Sequence, residues 1–184
     1  MYNNRMELKH TSIPSEFLTV LPEGIKFIHK QGKDFLVVEE VYCPKGHSLM
    51  VDSVKIHHEP SIRISVTIQD QRGAFYIDAF WGSHAKLFNF IPGNRGDHPD
   101  IQAFCPECGV SLMTERECII DTCDSDAHAV FHLPGEGNKI YVCARMGCPG
   151  HYLDVRNLPP TIIQSVSEIN YFGVQGEEEM FRGI

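Results

Sequence analysis

Cys105-Pro106-Glu107-Cys108-Gly109 is the stretch that most restricts the fold of this chain, and Cys143-Ala144-Arg145-Met146-Gly147-Cys148 supplies a second close pair of cysteines further along. Two such pairs, each at a tight turn, can bring four thiolates to one tetrahedral metal ion. A glycine directly after the second cysteine permits the left-handed backbone that points amide groups at sulfur. The spacing therefore predicts a metal site whose ligands are Cys105, Cys108, Cys143 and Cys148.

Composition limits the class of protein. The chain has 184 residues with 42% hydrophobic content, an ordinary value for a folded globular protein. Its first residues lack the pattern of a signal peptide, and no apolar run approaches membrane-spanning length. A cytoplasmic protein is therefore expected, and its seven cysteines indicate metal binding more than disulfides. A net charge of -8 does not suit a nucleic-acid binder, which needs concentrated Lys and Arg.

An internal duplication organises the chain. The segment Cys43-Pro44-Lys45-Gly46-His47-Ser48-Leu49-Met50 resembles the one that begins at Cys105 and ends at Met113. Residues 74–82 align with residues 139–147, and from first cysteine to final glycine the two copies differ in length by three residues. Each copy is thus interpreted as a knuckle, a β-hairpin and a second knuckle position.

Alternating apolar residues predict the strands of both copies, because strict alternation is typical of a half-buried strand. These residues are Ile62, Ile64, Val66 and Ile68 in the first copy and Ala127, Ala129, Phe131 and Leu133 in the second. Turns are predicted at residues 70–73 and 134–138, each followed by a return strand. On the second copy, His128 and His132 are predicted to lie on a polar sheet face with Cys143.

The fold class predicted from these patterns is mainly β: duplicated antiparallel modules with knuckles and a short C-terminal helix. Residues 1–42 form an N-terminal segment with a hairpin, 43–104 the first module, 105–158 the second, and 159–184 a helix with a solvated tail, all in one compact unit. The hairpin is expected to pair residues 25–29 with 35–38. The helix is expected from Pro160 to about Asn170, since proline is favoured in the first turn.

The motifs resemble known knuckles. The arrangement of Cys105, Cys108, Cys143 and Cys148 resembles a zinc ribbon, and the CPECG segment also resembles the knuckle of rubredoxin. The resemblance covers the turns and their spacing, about a third of the chain. It implies zinc as the cofactor, with iron as the alternative, since a tetrahedral sulfur site accepts either metal.

The first copy offers a second, mixed set of ligands. Cys43 and His47 keep a knuckle, Asp78 aligns with Cys143, and His84 directly follows the residue aligned with Cys148. A zinc ion held by Cys43, His47, Asp78 and His84 could keep a position open to water or substrate.

A rival grouping crosses the two copies. It joins Cys43 and His47 to Cys105 and Cys108, and it joins Cys143 and Cys148 to Cys118 and Cys123, which have the same C-x4-C spacing. The duplication favours the grouping within each copy. In that case Cys118 is interpreted as a buried thiol and Cys123 as a more exposed ligand or reactive cysteine. His151 could replace Cys148 or Cys143 as the fourth ligand, but it is interpreted as a surface residue or neighbour of the ligands.

The function predicted from the sequence is a zinc-binding structural or interaction module with a protein partner. One zinc ion is expected and a second is possible. Three alternatives stay open: a zinc-dependent hydrolase or lyase that uses the mixed site, an iron electron-transfer protein, and a nucleic-acid-binding zinc ribbon. The chain contains no Gly-rich phosphate loop, nucleophile elbow or HExxH motif.

Overall fold

A computed structural model of the protein describes residues 12–90 and 98–171. Within these residues the chain forms eleven strands and two short helices, and the paired strands run antiparallel. The predicted mainly β fold class is confirmed. None of the helices in this part of the chain is long and apolar enough to cross a membrane. The predicted tail beyond residue 175 lies outside the described residues.

The N-terminal part contains helix α1 (Ser15–Thr19) and a hairpin of β1 (Ile25–Lys30) and β2 (Lys33–Val38). The turn between them is Gln31-Gly32, and both residues have positive φ, at 51° and 73°. Such a two-residue turn matches the twist of the flanking strands. The predicted N-terminal hairpin is therefore confirmed.

A five-stranded sheet follows, formed by β3 (Met50–Ile56), β4 (Glu59–Ile68), β5 (Gln71–Ile77), β6 (Lys86–Phe88) and β7 (Gln102–Phe104). Strand β4 is central, because β3, β5 and β7 all pair with it. The turn predicted at residues 70–73 is shorter than expected. Gly73 lies within β5, where a Cβ would come within 2.0 Å of the Phe90 ring, so the glycine serves close packing.

A four-stranded sheet has the order β11-β10-β9-β8, with β8 at Met113–Glu115, β9 at Ala127–His132, β10 at Lys139–Cys143 and β11 at His151–Asp154. Helix α2 (Pro160–Ser167) packs near β11. Proline occupies its first turn as predicted, but the helix ends before Asn170, whose amide donates to the carbonyl of Pro149.

The core is built from the alternating residues that the sequence indicates. Ala127 and Val142 are half-buried, but most apolar side chains of both hairpins are buried, including Ile62, Ile64, Val66, Ile68, Ala129, Phe131, Leu133 and Ile140. The polar face predicted for β9 is wrong at His128, which is only 1% exposed. Val130, on the same face as His128, is buried as well, and Ala129 and Phe131 are buried on the other face. Both faces of this strand are therefore covered.

Two connections bring the first knuckle and the second knuckle to β9. Tyr42, one residue before Cys43, exchanges two backbone hydrogen bonds with His132, at 2.8 and 2.9 Å. Strand β7 runs directly into the Cys105 knuckle, and the chain returns so that the Val130 amide donates to the Leu112 carbonyl at 2.7 Å. Both knuckles are thereby placed at the C-terminal end of β9.

Candidate metal centres

The first knuckle spans Cys43 to His47. Gly46 has a φ of +86°, and its amide donates to the Cys43 carbonyl at 2.9 Å, which closes the turn. The amides of Lys45 and His47 donate to the Cys43 sulfur at 3.3 and 3.4 Å. The His47 Nδ1 lies 3.5 Å from the same sulfur. Amide groups aimed at a cysteine sulfur stabilise its thiolate, the form that binds metal.

The second knuckle contributes two more sulfur atoms to the same place. Gly109 has a φ of +70°, and its amide donates to the Cys105 carbonyl at 2.9 Å. The Cys43 and Cys108 sulfurs are 4.0 Å apart. The donor atoms of Cys43, His47, Cys105 and Cys108 all lie within 4.8 Å of one another. We call this set site 1.

The thiols of site 1 differ in acidity. Burial raises the pKa of Cys43, but the amides of His47 and Lys45 outweigh burial and lower it to about 6. Burial raises the pKa of Cys105 above its usual value, although the amides of Cys108 and Glu107 act in the opposite direction. Cys43 is therefore the thiol that ionises more readily at neutral pH, whereas Cys105 loses its proton when a cation is present.

Four further cysteines meet at the opposite end of β9. Cys118 and Cys123 lie in the loop between β8 and β9, and Cys143 ends β10 and leads to Cys148. The Cys118 and Cys148 sulfurs are 3.6 Å apart, and those of Cys123 and Cys143 are 3.8 Å apart. All four sulfurs lie within 4.8 Å of one another. We call this set site 2.

Gly150 allows site 2 to close. A Cβ at this position would come within 2.5 Å of the Cys118 sulfur and 3.4 Å of the Cys148 sulfur. The Gly150 amide donates to the Cys148 sulfur at 3.4 Å, and its carbonyl accepts from the Cys143 amide at 2.9 Å. A side chain here would separate the sulfurs that the loop brings together.

In site 2, Cys143 is the thiol that ionises most readily. The S–H groups of Cys118 and Cys148 donate to the Cys143 sulfur and lower its pKa far below the usual value. The pKa values of the two donating thiols are raised instead. Donation to Cys143 raises the pKa of Cys118 to about 12, and its hydrogen bonds with Cys118 and Cys143 also raise the pKa of Cys148. Such mutual dependence is expected of thiols close enough to share one cation.

The geometry of both sets fits a tetrahedral ion. A metal–sulfur distance of about 2.3 Å places tetrahedral sulfurs roughly 3.8 Å apart. Two sulfur pairs of site 2, at 3.6 and 3.8 Å, match this spacing. The seven cysteines all belong to the described residues, and none forms a disulfide. Two sets of residues can therefore hold a metal ion, one with three sulfur donors and an imidazole and one with four sulfur donors.

The grouping that the duplication favoured is wrong. Cys105 and Cys108 join Cys43 and His47, and Cys143 and Cys148 join Cys118 and Cys123, as in the rival grouping. The reason lies in β9: site 1 is held beside His132, whereas Cys143 pairs with His128. Four residues of strand separate those positions by about 13 Å, too far for one ion to bridge.

The mixed site proposed for the first copy is not assembled. Asp78 is bonded instead to His57 Nδ1, to the Ser83 hydroxyl and to the Phe80 amide, at 2.7, 2.6 and 3.1 Å. His84 donates to Asn170 at 2.9 Å and stacks on His151 at 5.4 Å. Neither Asp78 nor His84 belongs to the metal-competent set that contains Cys43 and His47.

Three residues have roles that the favoured sequence interpretation missed. Cys118, interpreted as a buried thiol, and Cys123, left open between a ligand and a reactive thiol, are both members of site 2. The repeated C-x4-C spacing was the signal that could have found them. His151 is no surface residue: it is 5% exposed, and its Nε2 donates to the Ile169 carbonyl at 2.7 Å.

Comparison with known proteins assigns no family to this arrangement. Neither family models, nor curated proteins, nor solved structures match the chain. Function is therefore inferred from the two four-donor sets and from the residues that pack around them.

Proposed function

We propose that the protein is a β module that holds two structural zinc ions, each of which cross-links distant parts of the chain. Site 1 uses Cys43, His47, Cys105 and Cys108, and site 2 uses Cys118, Cys123, Cys143 and Cys148. One observation carries this proposal: seven cysteines and one histidine divide completely into two sets of four, with the donor atoms of each set within 4.8 Å. Reduced thiols in such sets are typical of intracellular zinc proteins, which fits the predicted cytoplasmic location.

A structural role for zinc follows from the number of ligands. Catalytic zinc keeps three protein ligands and one position for water or substrate, whereas four protein ligands close the coordination sphere. Both sets offer four donors, and Asp78 and His84 are bonded elsewhere. Zinc would then stabilise the fold directly, because residues far apart in the sequence are joined only in the folded chain.

Zinc is favoured over iron by the donors of site 1. An imidazole among three thiolates suits zinc, while a rubredoxin-like iron centre has four thiolates. We would measure metal content and the absorption spectrum of protein purified without added metal. Two zinc ions per chain and no visible absorption are expected. Iron with charge-transfer bands, or fewer than two ions after saturation with zinc, would contradict the proposal.

Matched variants assign each ion to its site. Cys108→Ser and Cys123→Ser should each lower the zinc content by one ion per chain, because each removes one ligand from a different site. Asp78→Asn should keep both ions, since Asp78 is bonded to His57 and Ser83. A loss of zinc from Asp78→Asn would instead favour the mixed catalytic site.

We infer further that this module presents a surface to a protein partner. Leu87 and Phe88 on β6 are 48% and 45% exposed, and apolar residues on an edge strand are typical of interaction sites. The charge of -8 supports a protein over a nucleic acid. A photo-crosslinking residue at position 88 should yield a specific adduct in cells. The same residue at position 27, where Phe27 is 38% exposed, serves as the control; equal labelling at both positions would contradict a partner on β6.

A further inference from the structure

A small cavity lies where the five-stranded sheet faces the four-stranded sheet. Its volume is about 40 Å³, and its lining includes Lys86 from β6 together with Val142 and Gly150 from the strand and loop around site 2. A cavity of this size has room for a water molecule or two but for no organic ligand. The shared lining shows that a lysine of one sheet lies close to the cysteine loop of the other sheet.

Lys86 has no carboxylate partner among the described residues. The ion pairs in this part of the chain involve other cations, namely Lys26, His29, His57, Arg145 and Arg156. Burial lowers the pKa of Lys86, and the electrostatic effects of Cys148 and Cys143 act in the opposite direction. A half-buried ammonium without a carboxylate is costly unless another negative group compensates it.

The net charge of site 2 supplies that negative group. Four thiolates and one divalent ion carry two net negative charges, whereas three thiolates and a neutral imidazole around the same ion carry only one. Cys143 is 4% exposed, so water screens little of the charge on its side. Hydrogen bonds from the amides of Arg145 and Gly150 offset part of it.

The other basic residues near site 2 are engaged elsewhere. Arg116, two residues before Cys118, lies over the rings of Tyr141 and Tyr152, at 4.7 and 3.9 Å from their centres. The Arg145 guanidinium bonds to Asp100 at 2.6 Å and to Asp124 at 2.8 Å. His128 pairs with Cys143 across the strands, and burial lowers its pKa, which disfavours its charged form. Lys86 is therefore the cation placed to balance the buried side of site 2.

We propose that Lys86 is a positioning residue for site 2: its ammonium compensates the metal–thiolate charge from across the sheet interface and strengthens metal binding there but not at site 1. This inference rests on the proposed function, since it requires site 2 to hold a divalent ion. It also makes the two sheets depend on one another, because the charge and its counter-charge belong to different sheets.

The test compares the two sites within one molecule. Protein loaded with ¹¹³Cd²⁺ should give separate resonances for the all-sulfur site and the histidine-containing site, and titration with EDTA then reports the affinity of each. In Lys86→Met we expect the affinity of site 2 to fall about 10- to 100-fold, the usual effect of removing a residue that supports metal ligands. Site 1 should be unchanged, and Lys86→Arg should restore most of the affinity of site 2.

Lys139→Met is the matched control. It removes one positive charge from β10, the strand that ends at Cys143, but four residues from that ligand. Its site 2 affinity should equal that of the unaltered protein. An equal loss from Lys139→Met would show that net charge, and not the place of Lys86, sets the affinity.

The outcomes separate this inference from the proposed function. If the unaltered protein binds fewer than two ions, the proposed function fails. If it binds two and Lys86→Met changes neither site or weakens both equally, only the role of Lys86 is overturned. Should Lys86→Met not fold, Lys86→Gln takes its place. Failure of both to fold with metal present would show that Lys86 supports the fold as a whole, which also overturns the inference.

Discussion

At the scale of single residues, the metal sites depend on glycines as much as on ligands. Gly150→Ala should weaken site 2, because the new Cβ would lie 2.5 Å from the Cys118 sulfur and 3.3 Å from the Cys143 Cβ. Overpacking of this kind costs about 1–3 kcal/mol. Gly109→Ala is the comparison: no atom lies within 4 Å of its added Cβ, so only the strain of its positive φ remains. Chelator competition should show loss at site 2 for Gly150→Ala and a smaller loss, confined to site 1, for Gly109→Ala.

A buried histidine gives a second prediction at this scale. Burial lowers the pKa of His84 to about 3, so the folded protein resists protonation there while the unfolded chain takes up a proton below about pH 6.5. The stability associated with neutral His84 is complete above pH 6.5 and is lost as the pH falls from 6.5 towards 3. His84→Gln should therefore reduce the slope of unfolding free energy against pH in this window by up to about 1.4 kcal/mol per unit. Urea denaturation between pH 7 and 5 measures this slope; equal slopes for both proteins would show that His84 protonates freely in the fold.

At the scale of elements, the β3–β4 turn combines strain with a buried hydrogen bond. His57 and His58 both have positive φ, at 51° and 68°, where glycine or asparagine is usual. His58→Gly should stabilise the protein by up to about 1 kcal/mol, since it relieves an unfavourable backbone conformation. His57→Gly should destabilise it by about 1–3 kcal/mol, because the fully buried Asp78 carboxylate loses the Nδ1–H donor at 2.7 Å. Urea denaturation of the two variants should give changes of opposite sign; a gain from both would mean that strain outweighs the Asp78 contact.

The elements themselves were largely predictable from local patterns. The alternation from Ile62 to Ile68 and the proline before α2 act over neighbouring residues, so the sequence shows them directly. The prediction of a polar face on β9 was wrong at His128, which is buried. Burial of a strand face depends on which other parts of the chain pack against it, and local sequence does not show this. Asp78 was misplaced for a similar reason: its partner His57 is 21 residues away in the chain, in a turn that alignment of the two copies does not reveal.

At the scale of the whole molecule, most of the donors were predictable but their grouping was not. Spacing identified six of the eight donors, whereas Cys118 and Cys123 were ligands only in the rival grouping. Which pairs lie together depends on β9, whose ends hold the two sites apart, and on the Tyr42–His132 bridge. The predicted duplication favoured grouping within each copy, whereas contacts between residues 42–47, residues 105–112 and β9 decide the arrangement.

This arrangement predicts that the two sites protect different parts of the molecule. Site 1 joins residues 43–47 to residues 105–108, while site 2 closes only the segment from Cys118 to Cys148. Loss of site 1 in Cys105→Ser should free the Tyr42–His132 bridge, so the exchange of both amides should accelerate at least about tenfold, or about 1.4 kcal/mol of local protection. The Cys143 amide, bonded to Gly150, should keep its rate in that variant.

Cys123→Ser should give the reverse pattern, with faster exchange at Cys143 and little change at Tyr42 and His132. Hydrogen exchange followed by NMR on the zinc-loaded proteins resolves these amides individually. The two variants should differ because the Tyr42 and His132 amides lie beside site 1, whereas the Cys143 amide belongs to site 2. The two sites are at opposite ends of β9. Equal acceleration of all three amides in both variants would show that the two sites stabilise one cooperative unit, in which the ends of β9 do not open separately.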